Sequence, residues 1–174
     1  MVGAMPQDIV SRLPVTLPAI IGKLPAHGDF IARGVDFAWR EPLDRWLSAW
    51  MKLGRKRIGD GFDDAYREAA PWIFEGGRTK AVLMPSADAV GRLFPVLCLT
   101  SARRRIQPVY DILVDALSNG MKSDDLIASL AGIVAETDAG EDASSGWFLP
   151  NGAERVLPSP DEADGWNDVA ECFE

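Results

Sequence analysis

Between residues 43 and 53 the chain places Leu43, Trp46, Leu47, Trp50 and Leu53 at spacings of three and four, while Arg45, Lys52 and Arg55 fall off that stripe. A period of about 3.6 lines one face of a helix with apolar side chains, so the segment is predicted as an amphipathic helix packed on a sheet. Pro42 then falls in its first turn, where a missing N–H costs nothing. The same spacing recurs in Ile112, Leu113, Ala116 and Leu117 after Pro108. It recurs again in Leu126, Ile127, Leu130 and Val134, in a segment that Ser123 or Asp124 can cap. Asp60 to Ala70 reads as a further short helix, stopped by Pro71.

Short apolar runs of strand character lie between these periodic stretches. Ala19 to Leu24 is closed by Pro25, Trp72 to Phe74 ends at Gly76-Gly77, and Ala81 to Met84 is closed by Pro85. Phe94 to Thr100 follows the turn at Gly91-Arg92, and Trp147 to Leu149 is a late strand beside which Arg155 to Leu157 can pair. Strands and helices interleave without an internal repeat. The class is therefore α/β: a single-domain layered sandwich with a mixed β-sheet flanked by helices. Residues 1–18 carry three prolines and no sustained period and read as a loose leader. The domain is expected over 19–160, with an acidic tail at 161–174.

Composition narrows the function classes. The 174 residues fit one domain with a real core, and 47% hydrophobic with 25% charged is the make-up of an ordinary globular chain. Six tryptophans imply a heavy core or a recognition surface. With 18 Lys+Arg against 26 Asp+Glu the net charge is -8, which repels nucleic acid and anionic lipid. The basic clusters Arg103-Arg104-Arg105 and Lys52 to Arg57 are short and read as solvated or strand-end charge. Cys98 and Cys172 have no partner at close spacing, so neither a disulfide framework nor a zinc motif is expected. No segment reaches the ~18 apolar residues of a membrane span, and the N-terminus lacks the basic-then-apolar order of a secretory signal. A cytoplasmic protein without membrane insertion is expected. Nothing in the sequence indicates the oligomeric state.

The densest candidate chemistry is the stretch GKLPAHGDFIARG, residues 22–34, which holds the only histidine. Gly22-Lys23 is not a phosphate loop, because Leu17 stands where a glycine is required and Leu24 where a Ser or Thr is required. No Gly-x-Gly-x-x-Gly joins a strand to a helix, and no cofactor is expected. His27 oriented by Asp29 is a candidate general base, with Ser86 as its nucleophile, which makes a small serine hydrolase the alternative reading. No Gly-x-Ser-x-Gly elbow surrounds Ser86. The carboxylates Asp29, Asp63, Asp64 and Asp88 form no coordinating pattern, so no metal is expected. The structural reading is a turn in which Gly28 takes a positive φ, Asp29 caps backbone amides, and Phe30 and Ile31 return to the core.

The run Gly22-Lys23-Leu24-Pro25-x-His27-Gly28-Asp29-Phe30 is followed by Trp46 on the helix and by Ala70-Pro71-Trp72-x-Phe74. After these comes Val82-x-Met84-Pro85-Ser86-x-Asp88-x-Val90-Gly91-Arg92-x-Phe94-Pro95. In order and spacing, over roughly residues 20 to 150, these motifs resemble the TagF (ImpM) family, accessory proteins of the bacterial type VI secretion system. Ser144-Ser145-Gly146-Trp147-Phe148 resembles the family's late Ser-x-Trp-Trp segment, with phenylalanine as the second aromatic. The resemblance implies an α/β sandwich and a cytoplasmic, non-enzymatic regulator that represses the apparatus after translation. It also implies a partner, in some systems a forkhead-associated-domain scaffold protein and otherwise another secretion component. The positions carried over as candidate partner-binding residues are Lys23, His27, Gly28, Asp29, Phe30, Trp46, Trp72, Pro85, Ser86, Asp88, Gly91 and Arg92. Two roles stay open for them: bracing the fold, with an Asp–Arg pair locking two loops together, or offering a face to the partner. In either role, His27 or Asp29 is expected within hydrogen-bonding reach of the Ser86–Arg92 loop, since both loops follow Pro-terminated apolar strands whose exits share one side of a sheet.

Overall fold

The computed structural model describes residues 10, 13, 18–76, 78–135, 146–149 and 154–155. Strand β1 (Ala19–Gly22) turns through the histidine loop into β2 (Ile31–Arg33), and helix α1 (Phe37–Ile58) follows. A single turn of 3₁₀ helix, Gly59–Gly61, leads into α2 (Phe62–Glu68). The hairpin of β3 (Trp72–Gly76) and β4 (Thr79–Met84) comes next, then β5 (Val96–Ser101), α3 (Ile106–Asn119) and α4 (Ser123–Ala131). β6 (Gly146–Phe148) and β7 (Glu154–Arg155) complete a seven-stranded sheet among the described residues, in the order β2-β1-β5-β4-β3-β6-β7.

The central strands are apolar through Ala19–Ile21, Ala81–Met84 and Val96–Leu99 because both faces of the sheet are covered there. Ile21, Leu83, Leu97 and Leu99 face α1 and α2 in one cluster, together with Leu43, Trp46, Leu47, Trp50 and Tyr66. Ile20, Val82, Val96 and Cys98 point the other way, onto Val109, Leu113, Leu126 and Leu130 of α3 and α4. The alternation follows from the two-residue side-chain period of a strand. Register aligns the layers, with Leu97 between Ile21 and Leu83, and Cys98 between Ile20 and Val82. The result is a helix–sheet–helix sandwich in one α/β domain. Val10 and Leu13 also join the α1 side of the core, and the tail 161–174 lies outside the described residues.

Several boundaries differ from the sequence expectation. Every strand pairing is antiparallel where a mixed sheet was expected. The reason is connectivity: β1–β2, β3–β4 and β4–β5 are neighbours joined directly, and among the described residues no helix crosses between parallel neighbours. Helix α1 begins before Pro42, at Phe37, because Asp36 Oδ1 accepts the Ala38 N–H at 2.8 Å and caps it. β2 is a strand that no alternation announces, since it is three residues long. Val134 lies beyond α4 and is 82% exposed rather than part of its stripe. No described helix is long and apolar enough to cross a membrane.

Candidate functional site

β1 and β4 flank β5 and are each antiparallel to it, so they run in the same direction and their exits lie at one end of the sheet. The loop of residues 23–30 and the loop of residues 85–95 therefore meet. Gly22 permits the approach. Its φ is 130°, and a Cβ built there would stand 2.0 Å from the Pro95 carbonyl oxygen, so only glycine fits. The adjacent Lys23 N–H donates to that carbonyl, and the Ala89 N–H donates to the His27 carbonyl at 2.8 Å.

Asp88 builds the second loop. Its Oδ1 accepts the backbone N–H groups of Val90 at 3.1 Å and Arg92 at 2.9 Å, an Asx-type turn that Gly91 closes at φ 84°. Its Oδ2 accepts from Lys23 Nζ at 2.8 Å and Arg92 Nε at 2.6 Å, and the side chain is fully shielded from water. Desolvation alone would raise the carboxyl pKa. The Lys23 ammonium, the Arg92 backbone and guanidinium and the Val90 N–H outweigh it and hold the group well below the usual carboxylate range. Arg92 then reaches across to donate to the Gly28 carbonyl. An Asp–Arg–Lys cluster thus ties the two loops together, and the expected proximity of the His27 loop to the Ser86–Arg92 loop holds.

His27 and Ser86 are not a dyad. His27 Nε2 accepts the backbone N–H of Ser123, 96 residues away, at the start of α4. The ring, rather than Ser123 or Asp124, caps that helix, and Nε2 is the unprotonated nitrogen. The Ser86 hydroxyl donates to the Lys23 carbonyl at 2.7 Å. Tyr66, which the sequence reading did not single out, accepts the Ser86 N–H at 2.9 Å and donates to the Ser86 carbonyl at 3.2 Å. Burial pushes the Tyr66 phenol far above its ordinary pKa, against the opposing pull of the Ser86 bond, so the hydroxyl stays neutral and serves both roles. Only its i+4 spacing from Phe62 on a short helix could have marked it.

The remaining candidates divide by burial. Trp46 and Trp72 belong to the core, Trp46 on the sheet-facing stripe of α1 against Trp147 at 6.0 Å and Trp72 at an inward position of β3. Neither is on a surface that a partner can reach. Gly28 is exposed without a positive φ and with open space around it, so the turn does not demand glycine there. Asp29 caps nothing: its carboxylate is exposed and makes no bond among the described residues. Ile31 enters the core as expected, but Phe30 stays 39% exposed, edge-on to Phe94 at 5.6 Å, because the strand begins one residue later. Val90, at the tip of the second loop, is 73% exposed. Pro85 lines an open cleft beside the loops. Among the described residues no cluster of three His, Cys, Asp or Glu side chains stands together.

What these loops define is an α/β domain with a rigid two-loop patch at one end of its sheet. Its polar groups hold the patch together, and Asp29, Phe30 and Val90 stand on its outer side. The model of the TagF N-terminal domain, type VI secretion system-associated, matches residues 19–139, and the chain belongs to the TagF family. The fold is similar to the crystal structure of PA0076 from Pseudomonas aeruginosa PAO1, at 22% identity and TM-score 0.59, covering 90% of this chain and 76% of that one. No curated protein matches the chain.

Proposed function

We propose that the chain is a non-enzymatic regulator that represses a type VI secretion system after translation. It acts in the cytoplasm by binding an apparatus component, a forkhead-associated-domain scaffold being the partner in view, and withholding it from assembly. The observation that carries this reading is the match of the TagF domain over residues 19–139, which ties the chain to that system. The site supports binding over chemistry. The Asp88 carboxylate, the Ser86 hydroxyl and the His27 lone pair are each engaged within the domain, so none is free to abstract or carry a proton. A rigid patch with exposed apolar side chains suits protein recognition.

The test is a pull-down from the native host with the tagged chain, paired with a secretion assay at graded expression. Capture of a secretion component, with secretion falling as the dose rises, is the expected result. Failure to capture any such component, with secretion unchanged at high dose, would remove the regulatory reading.

A further inference from the structure

Beside the patch, the same two loops border an open cleft of about 210 Å³. Pro25 and Pro85 form part of its wall, and a proline offers apolar surface with no N–H to donate. Leu93 and Leu117, each half-buried, extend that apolar wall. Tyr66 and Ser86 lie beneath, and their hydroxyls are satisfied by the Ser86 backbone and the Lys23 carbonyl. One polar group of the lining remains available. Arg67, exposed on the last turn of α2, makes no hydrogen bond or ion pair among the described residues.

We infer that this cleft is a docking site for a segment of the partner protein that carries an apolar side chain next to a carboxylate. The apolar side chain fills the space between the prolines and leucines, where water is displaced at no cost in hydrogen bonds. The neighbouring carboxylate meets the planar fork of Arg67. Arg67 has no internal partner to give up among the described residues, so a carboxylate seated beside it gains a charge pair at no cost to the fold. The inference rests on the proposed function and deepens it, since Pro25 and Pro85 belong to the two loops of the patch.

The full chain is titrated with two capped peptides, one carrying Leu-Glu between glycines and the other Leu-Lys, while the NMR signals of Ala87, Leu93 and Leu117 are followed. The Leu-Glu peptide is expected to shift these signals and to bind about tenfold more tightly. Arg67→Ala is expected to erase that preference without lowering the melting temperature. Equal affinities, or shifts confined to another surface, overturn the inference. A spin label on Cys172 reports a competing occupant, because Cys98 is fully buried with its thiol pushed up to about 12. Label-induced broadening at Leu93 and Leu117 in the free chain would assign the cleft to the chain's own acidic tail and overturn the partner assignment. Concentration-dependent shifts without peptide would assign it to a second copy, with the same consequence. In the pull-down, undiminished capture by Arg67→Ala sinks the cleft and leaves the regulatory reading standing. If the parent chain itself captures nothing, the regulatory reading falls and the peptide titration alone decides the cleft.

Discussion

Asp88 accepts four hydrogen bonds, from Lys23, Val90 and twice from Arg92, and protonation would withdraw the charge that all four donors serve. Its folded pKa lies below the value of about 3.9 expected in the unfolded chain. The sign follows: its stabilisation is complete above the unfolded value and fades as pH falls from there toward the folded one, because the unfolded state then binds the extra proton. Urea denaturation at a series of pH values should show Asp88→Asn much less stable than the parent at neutral pH, with the gap narrowing as pH falls below about 4. A constant gap would mean that the carboxylate charge is not what the loops use. Asp29 is the opposite case. It sits two residues after His27 and reads as its partner, yet its carboxylate is exposed and unbonded among the described residues. Asp29→Ala should change stability by no more than about 0.5 kcal/mol. Which of two similar residues in a motif does the bracing depends on where the other loop sits, and spacing does not carry that information.

At the scale of elements, α4 is nine residues long, too short to be stable alone, and it is held from outside at both ends. His27 accepts from its first turn, and Arg104 donates to the carbonyls of Leu130, Ala131 and Ile133 at its end. The sequence reading took Arg104 only as part of a charge cluster. Hydrogen exchange should show α4 opening more readily by about 1 kcal/mol in His27→Ala, with the β4–β5 amides unchanged. Helix α2 is tied to the second loop through one phenol. Tyr66→Phe leaves the buried Ser86 N–H and carbonyl without that partner and should cost about 2 kcal/mol in a denaturation curve, at constant m-value. At the β1 exit, Gly22→Ala drives a methyl into the Pro95 carbonyl and should cost on the order of 3 kcal/mol or prevent folding.

For the whole molecule, the separation of core from outer surface predicts a separation of phenotypes. Trp46→Ala opens a cavity against Trp147 and should lose about 3–5 kcal/mol, with any loss of binding following from unfolding. Val90→Ala touches an exposed side chain and should leave the melting temperature nearly unchanged while weakening capture of the secretion component. Phe30→Ala should weaken capture too, while costing about 1 kcal/mol through the lost ring contact with Phe94. Normal capture by both would move the interface off the loop tip. Side-chain patterning along the chain was enough for the local layer of the fold. The Leu43–Leu53 stripe announced α1, the doubly apolar runs announced β1, β4 and β5, and the ordered motifs announced the family. Which way the sheet pairs and which polar groups meet depended on the assembled fold. Lys23 and Asp88 are 65 residues apart, and His27 and Ser123 are 96 apart. They come together because β5 inserts between β1 and β4 and brings both loop exits to one end of the sheet. Hydrophobic periodicity reports which face of an element is buried, and it is blind to the order in which elements lie side by side.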